Sequence, residues 1–161
     1  MSKPFLIGFA AMAVVIVAVV WTGFVKTAGN HVAATGNIGK VRVVKADENL
    51  TYMVIDFNVT NDSNRDMIVR LIEPSIELAD GRVQMGSPVA ESDVKSAFEA
   101  YPLLGPQYNA VMKERDVIPA RHTIDRMVGV RLDAPDQEVE NRKKVILQLF
   151  DVTGASVELT K

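Results

Sequence analysis

The 161-residue chain carries 18 Lys and Arg against 20 Asp and Glu, a net charge of −2, and contains no cysteine. A mildly acidic chain lacks the strongly basic face that nucleic acid requires, and the missing thiols exclude disulfides, thiolate metal sites and cysteine nucleophiles. Hydrophobic residues make up 48% of the chain but aromatic residues only 6%, so one very apolar segment is expected beside an ordinary globular remainder.

That segment is residues 5–25, FLIGFAAMAVVIVAVVWTGFV, which holds no charged side chain. As a helix it is about 31 Å long, the thickness of a bilayer's hydrocarbon core. A cleaved signal peptide is the competing reading, with small residues at Val32-Ala33-Ala34, but its apolar region would span only ~7–15 residues. The run length predicts an uncleaved signal-anchor helix over 1–25, with Trp21 as the membrane-interface anchor. Lys3 and the α-amine favour a cytoplasmic N-terminus and an extracytoplasmic C-terminal domain, although Lys26, Lys40, Arg42 and Lys45 lie on the other flank. Gly8, Ala11, Val15, Ala18 and Thr22 fall on one helix face. Such a small-residue stripe admits a second helix at close range; an Ala/Val-rich span also produces one by chance.

Residues 26–39 (KTAGNHVAATGNIG) are small, polar and glycine-punctuated, which predicts a flexible stalk. From residue 40 the periodicity becomes two. Residues 41–44 give a first strand. Met53, Ile55, Phe57 and Val59 then alternate with Tyr52, Val54, Asp56, Asn58 and Thr60, a strand with one core face. Asn61-Asp62-Ser63-Asn64 is a polar turn. Further strands are predicted over 67–72, 75–79, 82–85, 123–132, 145–152 and 156–160, with tight turns at Asp80-Gly81 and Gly154-Ala155. About seven to eight short strands separated by turn signals predict an all-β two-sheet sandwich over 40–161.

Residues 86–120 break the rhythm. Ser87-Pro88 reads as an N-cap and first turn, and Val94, Ala97, Phe98 and Tyr101 recur at helical spacing until Pro102, Gly105 and Pro106 end the helix. Two readings of this insertion stand. Its apolar face caps one end of the sandwich, or Val94, Phe98, Tyr101, Leu103, Leu104 and Tyr108 form a patch for a partner or the membrane surface.

Four stretches, YMVIDFNVTNDSNRDM, ELADGR, IPARHTIDRMVGVRLDAP and KVILQLFDVTGASVEL, follow one another in the order seen in small bacterial immunoglobulin-like domains, which the chain resembles over roughly 41–160. Those domains are extracytoplasmic and tethered by lipoprotein or signal anchors. The resemblance implies an immunoglobulin-like sandwich over that range, and the apolar run predicts one transmembrane helix before it. It says more about fold than role, and the 86–120 insertion is longer than such domains usually carry.

Chemistry-bearing patterns are few. Asp62, Asn64, Asp66 and Glu73 match four positions of a calcium loop, but Met67 stands where glycine is needed and the flanks read as strands. His31 and His122 are isolated, so no zinc set forms from them. No nucleophile elbow, phosphate loop, zinc-helix motif or dinucleotide fingerprint occurs. The expectation is a non-enzyme without cofactor or metal. Its partners are the lipid bilayer and other integral-membrane subunits, as an accessory subunit of a respiratory, photosynthetic or secretory complex. The alternative is a free-standing envelope domain for binding or signalling.

Overall fold

The computed structural model describes Val32–Lys161. The predicted span at 5–25, its stripe of Gly8, Ala11, Val15, Ala18 and Thr22, the anchor Trp21, and His31 lie outside the described residues. Among the described residues no helix is long and apolar enough to cross a membrane.

Among the described residues the strands are β1 (Ala34–Asp47), β2 (Leu50–Asn61), β3 (Met67–Glu77), β4 (Val83–Met85), β5 (Ser87–Pro88), β6 (Ala110–Val111), β7 (Val117–Ile118), β8 (Thr123–Leu132), β9 (Lys144–Asp151) and β10 (Ser156–Thr160). The helices are α1 (Glu91–Ala100), a 3-10 turn at Pro102–Leu104, and α2 (Asp136–Glu140). The first sheet runs β1-β2-β8-β5 with β6 beside β8, and the second runs β10-β9-β3-β4 with β7 beside β3. Among the described strands only β6 joins its neighbour in parallel.

The predicted alternation builds the core between the sheets. Met53, Ile55, Phe57 and Val59 of β2 meet Val128, Val130 and Leu132 of β8 on one side. Ile72 and Ile76 of β3, Val145, Leu147 and Leu149 of β9, and Val157 and Leu159 of β10 close it from the other. Burying each such aliphatic side chain contributes about 1.5–3 kcal/mol, and without disulfides this packing is the main cohesive force. The polar turn after β2 is built on Asn61, whose Nδ2 donates to the Arg65 and Ile118 carbonyls while its Oδ1 accepts from the backbone N–H and hydroxyl of Ser63. Gly81 and Gly154 take φ of +90° and +92° in the two hairpins where tight turns were predicted.

Four expectations are corrected. The stalk does not extend to residue 39, because β1 begins at Ala34 and pairs with β2 from Ala34↔Asn61 onward. Gly36 sits there for space, since a Cβ would lie 2.3 Å from the Asn58 carbonyl oxygen. The segments predicted at 67–72 and 75–79 are one strand, β3, running through Pro74; the Pro74 carbonyl still accepts from the Gly86 N–H at 2.8 Å. Ser87-Pro88 does not start the helix. It forms β5 against Arg131 and Val130 of β8, and α1 begins at Glu91 after Ala90 with no side-chain cap. Finally, β2 is buried on both faces: Val54 is fully enclosed and Asp56 nearly so, because the insertion covers what was read as the solvent side.

At the far end of the second sheet, Asp151 organises the β9–β10 turn. It accepts from the N–H groups of Ile68 and Thr153, both at 2.8 Å, and from the Thr153 hydroxyl. Burial acts to raise its pKa, but the Thr153 and Ile68 hydrogen bonds and the Arg65 charge outweigh it and hold the carboxyl below the usual aspartate range. A depressed folded-state pKa contributes stability above the unfolded value of about 3.9, and that stability is lost as pH falls through the folded value. The stability gap between wild type and Asp151→Asn is therefore expected to narrow on acidification from pH 7 to pH 3. Urea midpoints at the two pH values check this; a constant gap would refute the carboxylate's role.

Candidate functional site

The site is built where the insertion lies on the outer face of the first sheet. Alternation in β1, β2 and β8 sends Arg42 and Val44, Tyr52, Val54 and Asp56, and Met127 outward. There they meet Val94 and Ala97 of α1, Leu104 of the 3-10 turn and Val111 of β6 in a second apolar cluster. Gly129 permits this close approach, since a Cβ would lie 2.6 Å from Val94 Cγ2, 2.8 Å from Val89 Cγ2 and 2.9 Å from the Tyr52 hydroxyl. That hydroxyl is buried without a hydrogen bond; burial, with the Asp93 charge adding, pushes its pKa up to about 12.

At the edge of this cluster a buried ion pair clamps the loop after α1. Arg42 Nη2 donates to Asp56 Oδ2 at 2.6 Å, and both side chains are almost wholly enclosed. Arg42 Nη1 donates to the carbonyls of Leu104 and Pro106, each at 2.8 Å, and Asn109 Nδ2 donates to Asp56 Oδ1 at 3.0 Å. The guanidinium also lies over Phe98 at 5.0 Å and Tyr108 at 5.3 Å, while Lys40 approaches the Tyr108 ring at 5.2 Å. One cation on β1 thereby fixes the path of residues 104–109.

The six predicted contact residues separate. Val94 and Leu104 are core, 0% and 1% exposed, which corrects their assignment as contact residues: helical spacing marked an apolar face but not which way it turned. Phe98 and Tyr101 pack partly buried against the same cluster. Leu103 and Tyr108 project outward, 88% and 59% exposed. The insertion therefore roofs a sheet face instead of capping one end of the sandwich. Arg42, Asp56 and Asn109 were missed; the available signal was two opposite charges embedded in otherwise apolar strand sequence.

A groove of 440 Å³ lies between β3 and the insertion, lined by Leu71, Ile72, Pro88, Val89, Ala90 and Met112 among others. The Glu91–Lys113 ion pair, at 2.9 Å, sits on its rim. Three of the four residues of the calcium-like pattern turn their oxygens to protein donors. Asp62 accepts from the Thr35 hydroxyl, Asn64 from Arg121 Nε and Asp66 from the Ala120 N–H. Among the described residues no three His, Cys, Asp or Glu side chains are grouped to hold a metal ion. The His122 ring, exposed before β8, lies 2.8 Å through Nδ1 from the Ala120 carbonyl.

The chain matches no family model and no curated protein. Several solved structures are similar to it. A "putative lipoprotein" of Bacillus subtilis subsp. subtilis str. 168 is 12% identical over 80% of this chain, with a TM-score of 0.48, and the match spans only 36% of that protein's length. A functionally unknown protein from Listeria monocytogenes EGD-e is 13% identical over 80% of this chain and 76% of its own, with a TM-score of 0.44. An uncharacterized beta-sandwich protein from Clostridium difficile 630 is 16% identical over 81% of each chain, with a TM-score of 0.35.

Proposed function

We propose that this chain is a non-catalytic accessory subunit, anchored by a single N-terminal helix with its N-terminus cytoplasmic, whose extracytoplasmic sandwich holds an integral-membrane partner through the insertion. The observation that carries this reading is the division within Leu103-Leu104: Leu104 is sealed in the core while Leu103, its neighbour, is 88% exposed on a loop pinned by Arg42. A rigid loop presenting a leucine and a tyrosine loses little entropy on binding, and Tyr is among the residues enriched at binding hot spots. The immunoglobulin-like character of the sandwich belongs to the same proposal. The orders β1-β2-β8-β5 and β10-β9-β3-β4 correspond to the A-B-E-D and G-F-C arrangement of such domains, with β4 added beside C.

The test is purification of the tagged full chain in mild detergent. Wild type is expected to retain integral-membrane companions, and Leu103→Asp to lose them while shifting stability by no more than about 0.5 kcal/mol. Recovery of wild type alone, or of an unchanged complex from the variant, counts against the proposal. The second reading, a free-standing envelope domain, is favoured by the apolar groove at Leu71, Val89 and Met112. Exchanging residues 5–25 for an unrelated span separates the two: a tether tolerates the exchange, whereas a packed subunit does not.

A further inference from the structure

Where the insertion leaves the second sheet, the edge of β3 stays open over one rung. Val145 of β9 exchanges hydrogen bonds with Lys161 at the end of β10. By alternation Gln148 and Phe150 turn their backbone groups the other way, to Glu73 and Leu71. Ile72, between those two, therefore turns its N–H and C=O away from β9 to the free edge. That edge is occupied on either side. β4 pairs with Ser75, Ile76 and Glu77, and the Gly86 N–H reaches the Pro74 carbonyl. β7 pairs with Met67 and Ile68, and Val69 exchanges hydrogen bonds with Arg115 and Asp116. Residues 70–73, about 13 Å of strand, have no neighbour in this lane. Ile72 is 6% exposed, yet among the described residues its N–H and C=O meet no partner.

We infer that this gap, resting on the second reading of the chain as a binding domain, takes an extended, apolar stretch of a partner polypeptide as a short added strand beside Ile72. The open rung belongs to the 440 Å³ groove, whose lining includes Ile72 itself. A rung is completed by one acceptor and one donor at strand spacing, and the backbone of an extended residue supplies both. Residues directly opposite share a face, so the incoming side chain would follow that of Ile72 to the side where Met112 also packs. Pro88, Val89 and Ala90 supply the apolar wall. On the rim Glu91 and Lys113 pair at 2.9 Å, with Glu114 near them, so the floor and walls suit uncharged side chains.

The same rung discriminates among occupants. An acyl chain fills apolar space but leaves a buried donor and a buried acceptor unmet, which is unfavourable. A second copy offers β1 and β10, the ends of its sheets. A strand held in its own sheet approaches edge-on, and β4 and β7 block the lane at either end of the gap. A loop or terminus whose two ends turn outward after about four residues fits the opening.

The experiment titrates the capped tripeptide acetyl-Val-Leu-Val-amide into the isotope-labelled full chain in lipid nanodiscs, followed by nuclear magnetic resonance. Saturable shifts are expected at Ile72, Val89 and Met112 with a Kd of about 1 mM or below, and exchange of the Ile72 N–H should slow by roughly tenfold. The same peptide N-methylated at its leucine should bind roughly tenfold more weakly, because the donor to the Ile72 carbonyl is gone. Octanol, apolar but without a strand edge, should leave Ile72 exchange fast. Ala90→Trp, at an exposed position of the groove, should abolish the peptide's effects, whereas Leu103→Asp should leave them intact and so keeps this test apart from that of the anchored subunit. An Ile72 N–H already protected in the free chain, no saturable change there, equal binding of the N-methylated peptide, or binding indifferent to Ala90→Trp overturns the inference. So does self-association of the chain that the peptide reverses, which would give the groove to a second copy.

Discussion

Arg42→Ala is expected to destabilise the protein by about 3–5 kcal/mol, the range for breaking a buried ion pair by removing one partner. Asp56 would stay enclosed with only Asn109 Nδ2 as donor, and the Leu104 and Pro106 carbonyls would each lose one. The aromatic rings of Phe98 and Tyr108 would also lose the cation they flank. At this size the cost corresponds to a fall of roughly 10–20 °C in melting temperature, read from the strand signal in circular dichroism of the detergent-held full chain. Arg42→Met combined with Asp56→Leu is expected to recover part of the loss, because an apolar pair leaves no buried charge unmatched. A melting point unmoved by Arg42→Ala would show that the clamp contributes nothing to the fold.

Gly129→Leu is the second large effect, expected at about 1–3 kcal/mol by overpacking. The new side chain would enter space already occupied by Val94, Val89 and the Tyr52 hydroxyl. Since Gly129 pairs with Val54 on the outer side of β8, the strain is directed at α1 and not at the core between the sheets. Native-state hydrogen exchange should then show faster exchange over 91–109 while β9 stays protected. Adding Val94→Ala should restore part of the protection through direct coupling of the two sites. Uniform loss of protection across both sheets would contradict this separation of the roof from the sandwich.

Much of the sandwich is legible in the sequence because its strands obey period two where one face alone is apolar. β8, β9 and β10 fall within a residue of their predicted bounds. Legibility fails where a second layer intervenes. Val54 breaks the alternation of β2, a signal that its outer face is also covered, but Asp56 two residues on reads as solvent-facing until Arg42 is brought to it across the sheet. Residues 34–39 lack alternation and contain Gly36 and Gly39, so their strand identity comes from pairing with β2 and from no local propensity. Of the candidate site, helical spacing located α1, and only the tertiary fold could separate buried Leu104 from exposed Leu103.

Gly86 is the point where the chain leaves the second sheet and enters the first, with β4 on one side of it and β5 on the other. The consequence concerns self-assembly in the pathological sense. The pieces β4 and β7 dress the rim of β3, and β5 and β6 dress that of β8, each only two or three residues long. Short, kinked rims give an incoming strand too little ladder to extend, which is how natural sheets resist edge-to-edge aggregation. Deleting residues 86–120 removes β5, β6 and β7 and would therefore bare the rim of β8, and that of β3 outside Ser75–Glu77 where β4 still pairs, and fibril formation is the failure to watch for in such a truncation.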